Sequence, residues 1–368
     1  MKGKAITKIV ICSVVTVILI GILSAGLAAG KLFAEKTDGS YGLLEKIHSV
    51  ISIGENGLTV GDAIIYKDGE SYSTGSARLT EQVRELEIHW PYGSVTVQPY
   101  EGSEVVIREA EPQNESLRLR YRLTNGKLTI YEFKSGYRTD PTDAGQKSLE
   151  VLFPAQQASS LRKIEISGAS SGIHVEAVEA EKMELDTASG NVAVRNCKIG
   201  ELDVDSASGG CLVEDSVLGG FSVSSASGNV TVKRCKAERF DVDTASGECL
   251  AEDSELGSFS MDSASGAAKL TGSVREVEMD STSGGLTVHT KTAPRKVEFE
   301  TVSGDCELFL PVDTGFTVEK DGISSDLNIE GFAVMTVGKN IVCGDGAAEF
   351  SFDCVSGDVT IRAAQGSY

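Results

Sequence analysis

The sequence predicts an all-β protein: a β-solenoid with rungs of ~19 residues, a β-rich cap before it, and one transmembrane helix at the N-terminus. Three observations lead to this prediction. The first is an uncharged apolar run near the N-terminus, and the second is a four-residue motif that returns at nearly constant spacing. The third is a period of two among the hydrophobic residues around that motif. A period of 3.6 is absent after residue 30, so no helix is expected there.

The N-terminal run covers residues 9–30, none of which is charged. This length suffices to cross a bilayer as a helix. Three lysines lie among residues 1–8, so the positive-inside rule places this stub in the cytoplasm and the bulk of the chain outside. A cleaved signal peptide is the alternative, because the small residues Ala28 and Gly30 lie near the end of the run. The sequence therefore predicts a single-pass protein of the cell membrane.

The repeated motif is [ST]-x-S-G, and its glycines follow one another at 18 to 20 residues as far as Gly304. A fixed period of this size is typical of a solenoid. The glycine is expected to supply a turn conformation that other residues resist. The two hydroxyl residues are expected to bond to the turn backbone or along their columns. A variant of the motif ends at Gly172, and the predicted turn glycines are Gly190, Gly209, Gly228, Gly247, Gly266, Gly284, Gly304 and Gly357.

The residues before each motif glycine alternate between two faces. Positions seven and five before it are apolar, as at Phe240 and Val242, whereas positions six and four are often acidic. This alternation indicates a strand with one buried face. The acidic residues four before the glycine form an outward column that is a weak candidate for binding Ca²⁺, which takes carboxylate oxygens; a solvated face is the alternative, and no other cofactor is expected. The candidates are Asp186, Asp205, Asp243, Asp262 and Asp280.

Five of the eight cysteines fit the same columns. Three take apolar positions two residues after a motif glycine and are interpreted as core residues: Cys211, Cys249 and Cys306. Two others occupy a corner of small residues: Cys197 and Cys235. Members of one column are two rungs apart, about 9.6 Å, which exceeds the reach of a disulfide. Bridges between columns, Cys197–Cys211 or Cys343–Cys354, remain open as alternatives.

The remaining chain divides by composition into three parts. Residues 31–80 are Gly-rich and polar and predict a stalk or linker. Residues 81–160 alternate in short runs and predict a β-rich cap, with a hairpin turn at Asn125-Gly126. The aromatic residues Trp90, Tyr92 and Tyr100 are expected in the core of this cap rather than on a ligand platform. Residues 161–368 are the predicted solenoid, whose C-terminal strand is expected to stop with little capping.

An ordered series of segments resembles a known family. The series comprises a GSVTV strand, the GKLTIYEF hairpin, the passage LEVLFP…LRKIEISGASSGIHV, and the repeated D[ST]ASG rungs. It is similar to the DUF4097 family of adhesin-like proteins of the bacterial envelope, over roughly residues 84–368. The resemblance implies a β-solenoid-like fold, often behind a membrane anchor, and transfers no catalytic residues.

Two functions are compatible with these patterns. The first is a non-enzymatic adhesion-type scaffold for an envelope or surface protein or polysaccharide. The second is an envelope-stress or regulatory component that acts through a membrane partner. An enzyme is not expected, because a nucleophilic serine needs one base beside it, whereas the motif serines are equivalent and the chain has four His. The net charge of −20 argues against a nucleic-acid partner.

Overall fold

The computed structural model describes residues 51–54, 57–60, 72–110, 117–133, 147–320 and 326–364, and the fold is all-β. The described residues form two compact units, an N-terminal unit that ends at Leu212 and a C-terminal unit that begins at Val213. The predicted cytoplasmic stub and transmembrane helix lie outside the described residues. Within these residues, no helix has the length and apolar character needed to cross a membrane.

Among the described residues, sixteen strands and one short helix lie along the chain as far as the boundary between the units. Their bounds are β1 Ile51–Gly54, β2 Gly57–Val60, β3 Ser73–Thr74, β4 Ala77–Leu79, β5 Glu85–His89, β6 Ser94–Tyr100, β7 Val105–Glu109, β8 Arg120–Thr124, β9 Lys127–Tyr131, β10 Ser148–Pro154, α1 Ala155–Ala158, β11 Leu161–Gly168, β12 Gly172–Glu176, β13 Glu179–Thr187, β14 Val192–Arg195, β15 Lys198–Ser206 and β16 Cys211–Glu214.

The C-terminal unit contains the other strands. Their bounds are β17 Val217–Ser225, β18 Val230–Lys233, β19 Lys236–Thr244, β20 Cys249–Ser263, β21 Ala268–Ser281, β22 Leu286–Thr290, β23 Lys296–Thr301, β24 Cys306–Leu310, β25 Phe316–Lys320, β26 Leu327–Glu330, β27 Val334–Val337, β28 Asn340–Cys343, β29 Ala348–Cys354 and β30 Val359–Ala363.

In the N-terminal unit the strands pair in two series. One series runs β3–β8–β9–β5–β11–β13–β15 and the other β4–β7–β10–β6–β12–β14. The pairs from β9 to β15 and from β10 to β14 are parallel. The strands predicted for residues 81–160 therefore begin the same stack that the repeats continue. The hairpin predicted at Asn125-Gly126 is confirmed: it joins β8 to β9, and φ of +53° and +83° indicates a type I′ turn.

The predicted alternation of buried and outward residues is confirmed. Parallel register places equivalent side chains over one another, so that Leu86, Ile164, Met183 and Leu202 form one fully buried column. In the C-terminal unit, the rings of Phe221 and Phe240 stack with centroids 4.8 Å apart, and Phe259 meets Phe240 edge-on at 5.4 Å. Within each unit, the rungs thus contribute apolar area to a shared core, which is the main stabilising term of a solenoid.

The corner opposite the SASG turn has a regular geometry. Five non-glycine residues at steps of nineteen hold φ near +50°. They are Ala177, Asn196, Asp215, Arg234 and Asp253, and Gly272 takes the next equivalent position with φ +124°. A left-handed residue at each of these positions turns the chain between two strands, although only Asn and Asp adopt this conformation at low cost.

In the C-terminal unit the order of the rungs differs from the order of the sequence. Strands β29 and β30 pair with β23 and β24 on one side, and with β25 and β26 on the other. The expectation that the C-terminal strand lacks a cap was therefore wrong, because β30 lies between two strands. The rung of β25 and β26 lies beyond it, and β25 is followed in its sheet by the antiparallel hairpin β27–β28.

The expectation that no helix follows residue 30 was also wrong, since α1 forms directly after β10. Pro154 occupies the N-cap position with φ −52°. Proline has no amide hydrogen to donate to a neighbouring strand, so a strand tends to end at such a residue. The predicted stalk is described in part: β1 and β2 pair with each other, and β4 pairs with β7.

Candidate interaction surfaces

Most hydroxyl groups of the SASG turns bond to the backbone. The Ser or Thr three residues before each glycine accepts a hydrogen bond from the glycine N–H, as Thr187 does from Gly190 at 3.0 Å. The same bond recurs at 2.6–3.0 Å in six further turns. The exposed serine next to the glycine donates to a carbonyl of a neighbouring rung, as Ser208 does to Ala188 at 3.4 Å. These bonds favour a structural role for the turn serines.

The motif glycines are required by the close approach of neighbouring rungs, and for most of them no special backbone conformation is involved. Among the eight predicted turn glycines, only Gly357 has φ in the left-handed region, at +134°. The other turns need no special φ. Instead, a Cβ at Gly247 or Gly266 would overlap the carbonyl oxygen of the motif glycine in the preceding rung. The absent side chain therefore allows two rungs to approach each other at this corner.

The predicted calcium candidates fall in two groups. Register places Asp186 beside Asp205 in the N-terminal unit, and Asp243, Asp262 and Asp280 in adjacent strands of the C-terminal unit. In the part of the chain that the structure describes, no group of three or more His, Cys, Asp or Glu is arranged to hold a metal ion. The calcium site therefore stays a prediction.

Lysines separate the carboxylates of the neighbouring acidic column, six residues before the glycine. Lys163 contacts Glu165 at 2.8 Å and Glu184 at 2.6 Å, and Lys182 contacts Glu184 at 2.6 Å and Asp203 at 3.4 Å. Burial raises the pKa of Glu184, but hydrogen bonds from the two lysines outweigh it and hold that pKa below its usual value. Alternating charges offset the repulsion that stacked carboxylates would otherwise cause.

The prediction that Cys211, Cys249 and Cys306 are core residues is confirmed. All seven described cysteines are buried, and none of them forms a disulfide within the described residues. Neither disulfide that the sequence left open, Cys197–Cys211 or Cys343–Cys354, is formed. Burial raises the pKa of Cys211 to about 12 and that of Cys197 to about 11. A thiol reacts as its thiolate, so these groups are inert in the folded chain.

The aromatic residues of the N-terminal unit are placed largely as expected. Trp90 and Tyr92 are buried in the core. Tyr100 is half-exposed instead, and its hydroxyl donates to the main-chain oxygen of Glu104 at 2.5 Å. Hence none of the three forms an open aromatic platform.

An exposed apolar hairpin, β27–β28, is the surface that sequence reasoning missed. Val334, Met335 and Val337 are 45%, 63% and 56% exposed. Gly338 has φ +65° at the first position of the two-residue turn, which indicates a type II′ hairpin. Among the described strands, β27 pairs only with β28 and has a free edge. The uncharged apolar run was a visible signal, but the sequence pattern placed this region within the predicted solenoid and indicated no separate hairpin.

Charge distinguishes this hairpin from the rest of the chain. Residues 331–344 carry one charged side chain, Lys339, in a protein of net charge −20. Natural edge strands are usually short or protected by charge or proline. The edges of the N-terminal unit follow that rule, since β3 and β4 have two and three residues and β4 exposes Arg78. The hairpin edge has no such protection, which is typical of an interaction surface.

Comparison with known proteins gives a family and several solved structures. The Toastrack DUF4097 family matches residues 83–218 and 212–362. A "putative adhesin" from Bacteroides fragilis NCTC 9343 is 14% identical with a TM-score of 0.41, over 60% of this chain and 98% of that chain. A "putative lipid binding protein" from Parabacteroides distasonis ATCC 8503 is 15% identical with a TM-score of 0.44, over 82% and 98%. A "putative cell adhesion protein" from Clostridium sporogenes ATCC 15579 is 10% identical with a TM-score of 0.24, over 80% and 100%. No curated protein matches the sequence.

Proposed function

Because this chain belongs to the Toastrack DUF4097 family, we propose that it is a non-enzymatic adhesion-type scaffold of the bacterial envelope. Residues 9–30 anchor it in the cell membrane with the N-terminus in the cytoplasm, and the stacked rungs stand outside. The observation that carries the proposal is the free, uncharged apolar edge of β27 in an otherwise acidic chain.

The partner that fits this edge is an extended segment of an envelope or surface protein. In a two-residue hairpin the residues that flank the turn, Val337 and Asn340, form a hydrogen-bonded pair. Bonding alternates along the strand, so the N–H groups of Thr336 and Val334 point to the free edge. A strand added there gains main-chain bonds, and the exposed Val334 and Met335 provide the apolar contact.

The test is a pull-down in which the full-length chain is incubated with wall, membrane and whole-envelope fractions, with and without Ca²⁺. Wild type is expected to retain a protein, and Thr336→Pro and Met335→Lys are expected to reduce retention at least tenfold. Proline removes an edge N–H without breaking the hairpin, whereas lysine adds a charge. Val355→Lys is the matched control, because Val355 is similarly exposed at 44% but lies outside the hairpin.

The possible results distinguish the hairpin from the acidic column as the binding surface, and adhesion from regulation. Equal retention of wild type and both hairpin variants would refute the hairpin as the contact surface. Retention that chelation abolishes would assign binding to the acidic column. Selective retention of one integral membrane protein would favour the regulatory function over adhesion.

A further inference from the structure

Three ionisable side chains meet in the dry interior of the N-terminal unit. Glu109 ends β7, Glu132 follows β9 and Lys147 precedes β10. The side chains of Glu109 and Lys147 are 0% and 6% exposed, and the Lys147 Nζ lies 3.2 Å from the Glu109 Oε2. The same Nζ donates to the main-chain oxygens of Leu117, at 2.5 Å, and Glu132. The ring of Trp90 covers it at 4.6 Å.

The cluster also includes Arg118, whose Nε lies 3.9 Å from the Glu109 Oε1. Glu132 is fully buried, and ionisation of its carboxyl in a medium of low dielectric constant is costly. Burial, the largest cause, raises the pKa of Glu132 to about 8, so its carboxyl is protonated at neutral pH. One of its oxygens, Oε2, accepts from the Tyr92 N–H at 3.0 Å. The other, Oε1, is buried and has no partner among the described residues.

Glu109 accepts hydrogen bonds from the Leu119 N–H at 2.9 and 3.1 Å, and Lys147 is its buried basic neighbour. Burial lowers the pKa of Lys147, although both glutamates oppose this effect. The desolvation of a buried ion pair often exceeds its mutual attraction. In water an amine and a carboxylic acid stay ionised and apart, but removal of water favours their neutral forms, which can react with each other. A covalent bond between them would remove both charges from the interior.

We propose that Lys147 and Glu109 condense within the folded chain to form an intramolecular amide bond. The ammonium first passes a proton to the Glu109 carboxylate, which gives a neutral amine and a neutral acid. The Nζ lone pair attacks Cδ of Glu109, forming the C–N bond, while Glu132 gives its proton to the carbonyl oxygen and takes one from nitrogen. The C–O bond then breaks and one water leaves. Glu132 ends protonated as it began, and the reaction needs no oxidant or reductant.

The bond would join two residues that the fold already holds close together. Glu109 is paired with Leu149 in the antiparallel ladder of β7 and β10, so residues 109 and 147 are held together before any reaction. The cross-link would close a loop that contains β8 and β9, the strands that begin the stack. Such a cross-link lowers the conformational entropy of the unfolded chain and therefore stabilises the fold, which suits a scaffold outside the cell.

The test is peptide mapping by mass spectrometry of the denatured full-length chain. Trypsin does not cleave after an acylated lysine, so the bond predicts one branched peptide, residues 109–118 joined to residues 139–162. Its mass equals the sum of the two peptides less one water, and fragmentation should assign the branch to Glu109 and Lys147. Recovery of 139–147 and 148–162 as separate, unmodified peptides would overturn the proposal.

The control variants test whether the reaction needs a buried Lys–Glu pair, and not only a short distance between the two side chains. Lys147→Arg keeps a positive charge, cannot condense, and should restore the full mass. Lys163→Arg changes a closer but half-exposed pair, Lys163 and Glu165 at 2.8 Å, and should leave the cross-link intact. Glu132→Gln should reduce the cross-linked fraction at least tenfold, and complete cross-linking in that variant would refute Glu132 as the proton carrier. A loss of ammonia that maps to Asn125-Gly126 would be cyclisation of the main chain, and finding it without a loss of water at Glu109 and Lys147 would overturn the proposal.

Discussion

Replacement of a motif glycine by alanine tests whether rung contact, rather than backbone conformation, requires glycine. Gly209 and Gly172 both end motif copies in the N-terminal unit, and neither has a positive φ. An ideal Cβ built at Gly209 would lie 1.9 Å from the carbonyl oxygen of Gly190. At Gly172 the nearest atom would be the His174 Nε2 at 3.6 Å, an ordinary contact. The two substitutions are therefore chemically identical but differ in the space available.

The cost at Gly209 follows from the bonds that join its rung to the one before. To admit a methyl group the rungs must separate by about 1 Å, beyond the range of a hydrogen bond. The bonds at risk are Ala207 N–H to Thr187 oxygen at 3.3 Å, Ser208 N–H to Ala188 oxygen at 3.0 Å, and Gly210 N–H to Asn191 Oδ1 at 3.0 Å. At about 1 kcal/mol each, their loss lowers the free energy of unfolding by about 3 kcal/mol.

Trp90 makes this difference measurable in one unit of the protein. It is the only tryptophan of the chain and is fully buried in the N-terminal unit, so its fluorescence follows the unfolding of that unit in urea. Gly172→Ala should be neutral or should stabilise by up to about 1 kcal/mol, since alanine restricts the unfolded chain. If the two variants unfold within about 0.5 kcal/mol of each other, the rung-contact explanation is wrong.

Three further predictions use the same protein. Ala177→Gly should stabilise the N-terminal unit by about 0.5–1 kcal/mol, because Ala177 is exposed and holds φ +52°; a loss of stability in urea would contradict this. A hydrogen bond from His89, opposed by burial, lowers the pKa of Glu87 from 4.5 to about 2. Glu87 thus stabilises the fold above its unfolded pKa, and the deficit of Glu87→Gln should shrink as pH falls from 4.5 to 2; a constant deficit would count against it. Cys211 and Cys306 are buried with raised pKa values, so a thiol reagent should label them only in denaturant; rapid labelling of native protein would refute their inertness.

The sequence predicted the features that depend on local patterns. A period of two identified the strands around Leu86 and Val95, because the burial of one face selects apolar residues at alternate positions. Asn125-Gly126 identified a hairpin, because both residues tolerate the left-handed conformation that a type I′ turn requires. Cys211, Cys249 and Cys306 were placed correctly because each shares a column with apolar residues of other rungs.

The second corner could not be predicted for a physical reason. Its left-handed position is occupied by alanine or arginine as readily as by asparagine or aspartate. The conformation is imposed by the pairing of the strands on both sides, and the side chain at the corner does not select it. Arg234 shows what offsets the strain locally: its guanidinium bonds to Asp215 at 2.7 Å and to Glu214 at 2.7 Å. Such compensation varies from rung to rung and leaves no common sequence signal.

The buried cluster was equally invisible in the sequence. Glu109, Glu132 and Lys147 belong to three different segments, and each reads as a solvated charge in its local context. They meet only because β7 pairs with β10 while β9 pairs with β5. Single charged residues are almost never buried without partners, so no local pattern predicts that three of them share an interior.

The order of the C-terminal rungs explains why the sequence did not predict the hairpin surface. It also shows which substitutions separate the role of the hairpin in binding from its role in stability. Every rung offers the same alternation, so pairing chemistry does not fix which rung lies next to which. Gly357 fits against Gly304 because a Cβ there would overlap the Gly304 oxygen, and this contact places β29 and β30 inside the stack. The hairpin β27–β28 consequently joins the terminal rung. Phe332, just before it, packs edge-on against Phe316 at 5.2 Å. Phe332→Ala should therefore lower stability, whereas Thr336→Pro should lower binding alone, and joint loss of both properties in Thr336→Pro would show that the edge is structural.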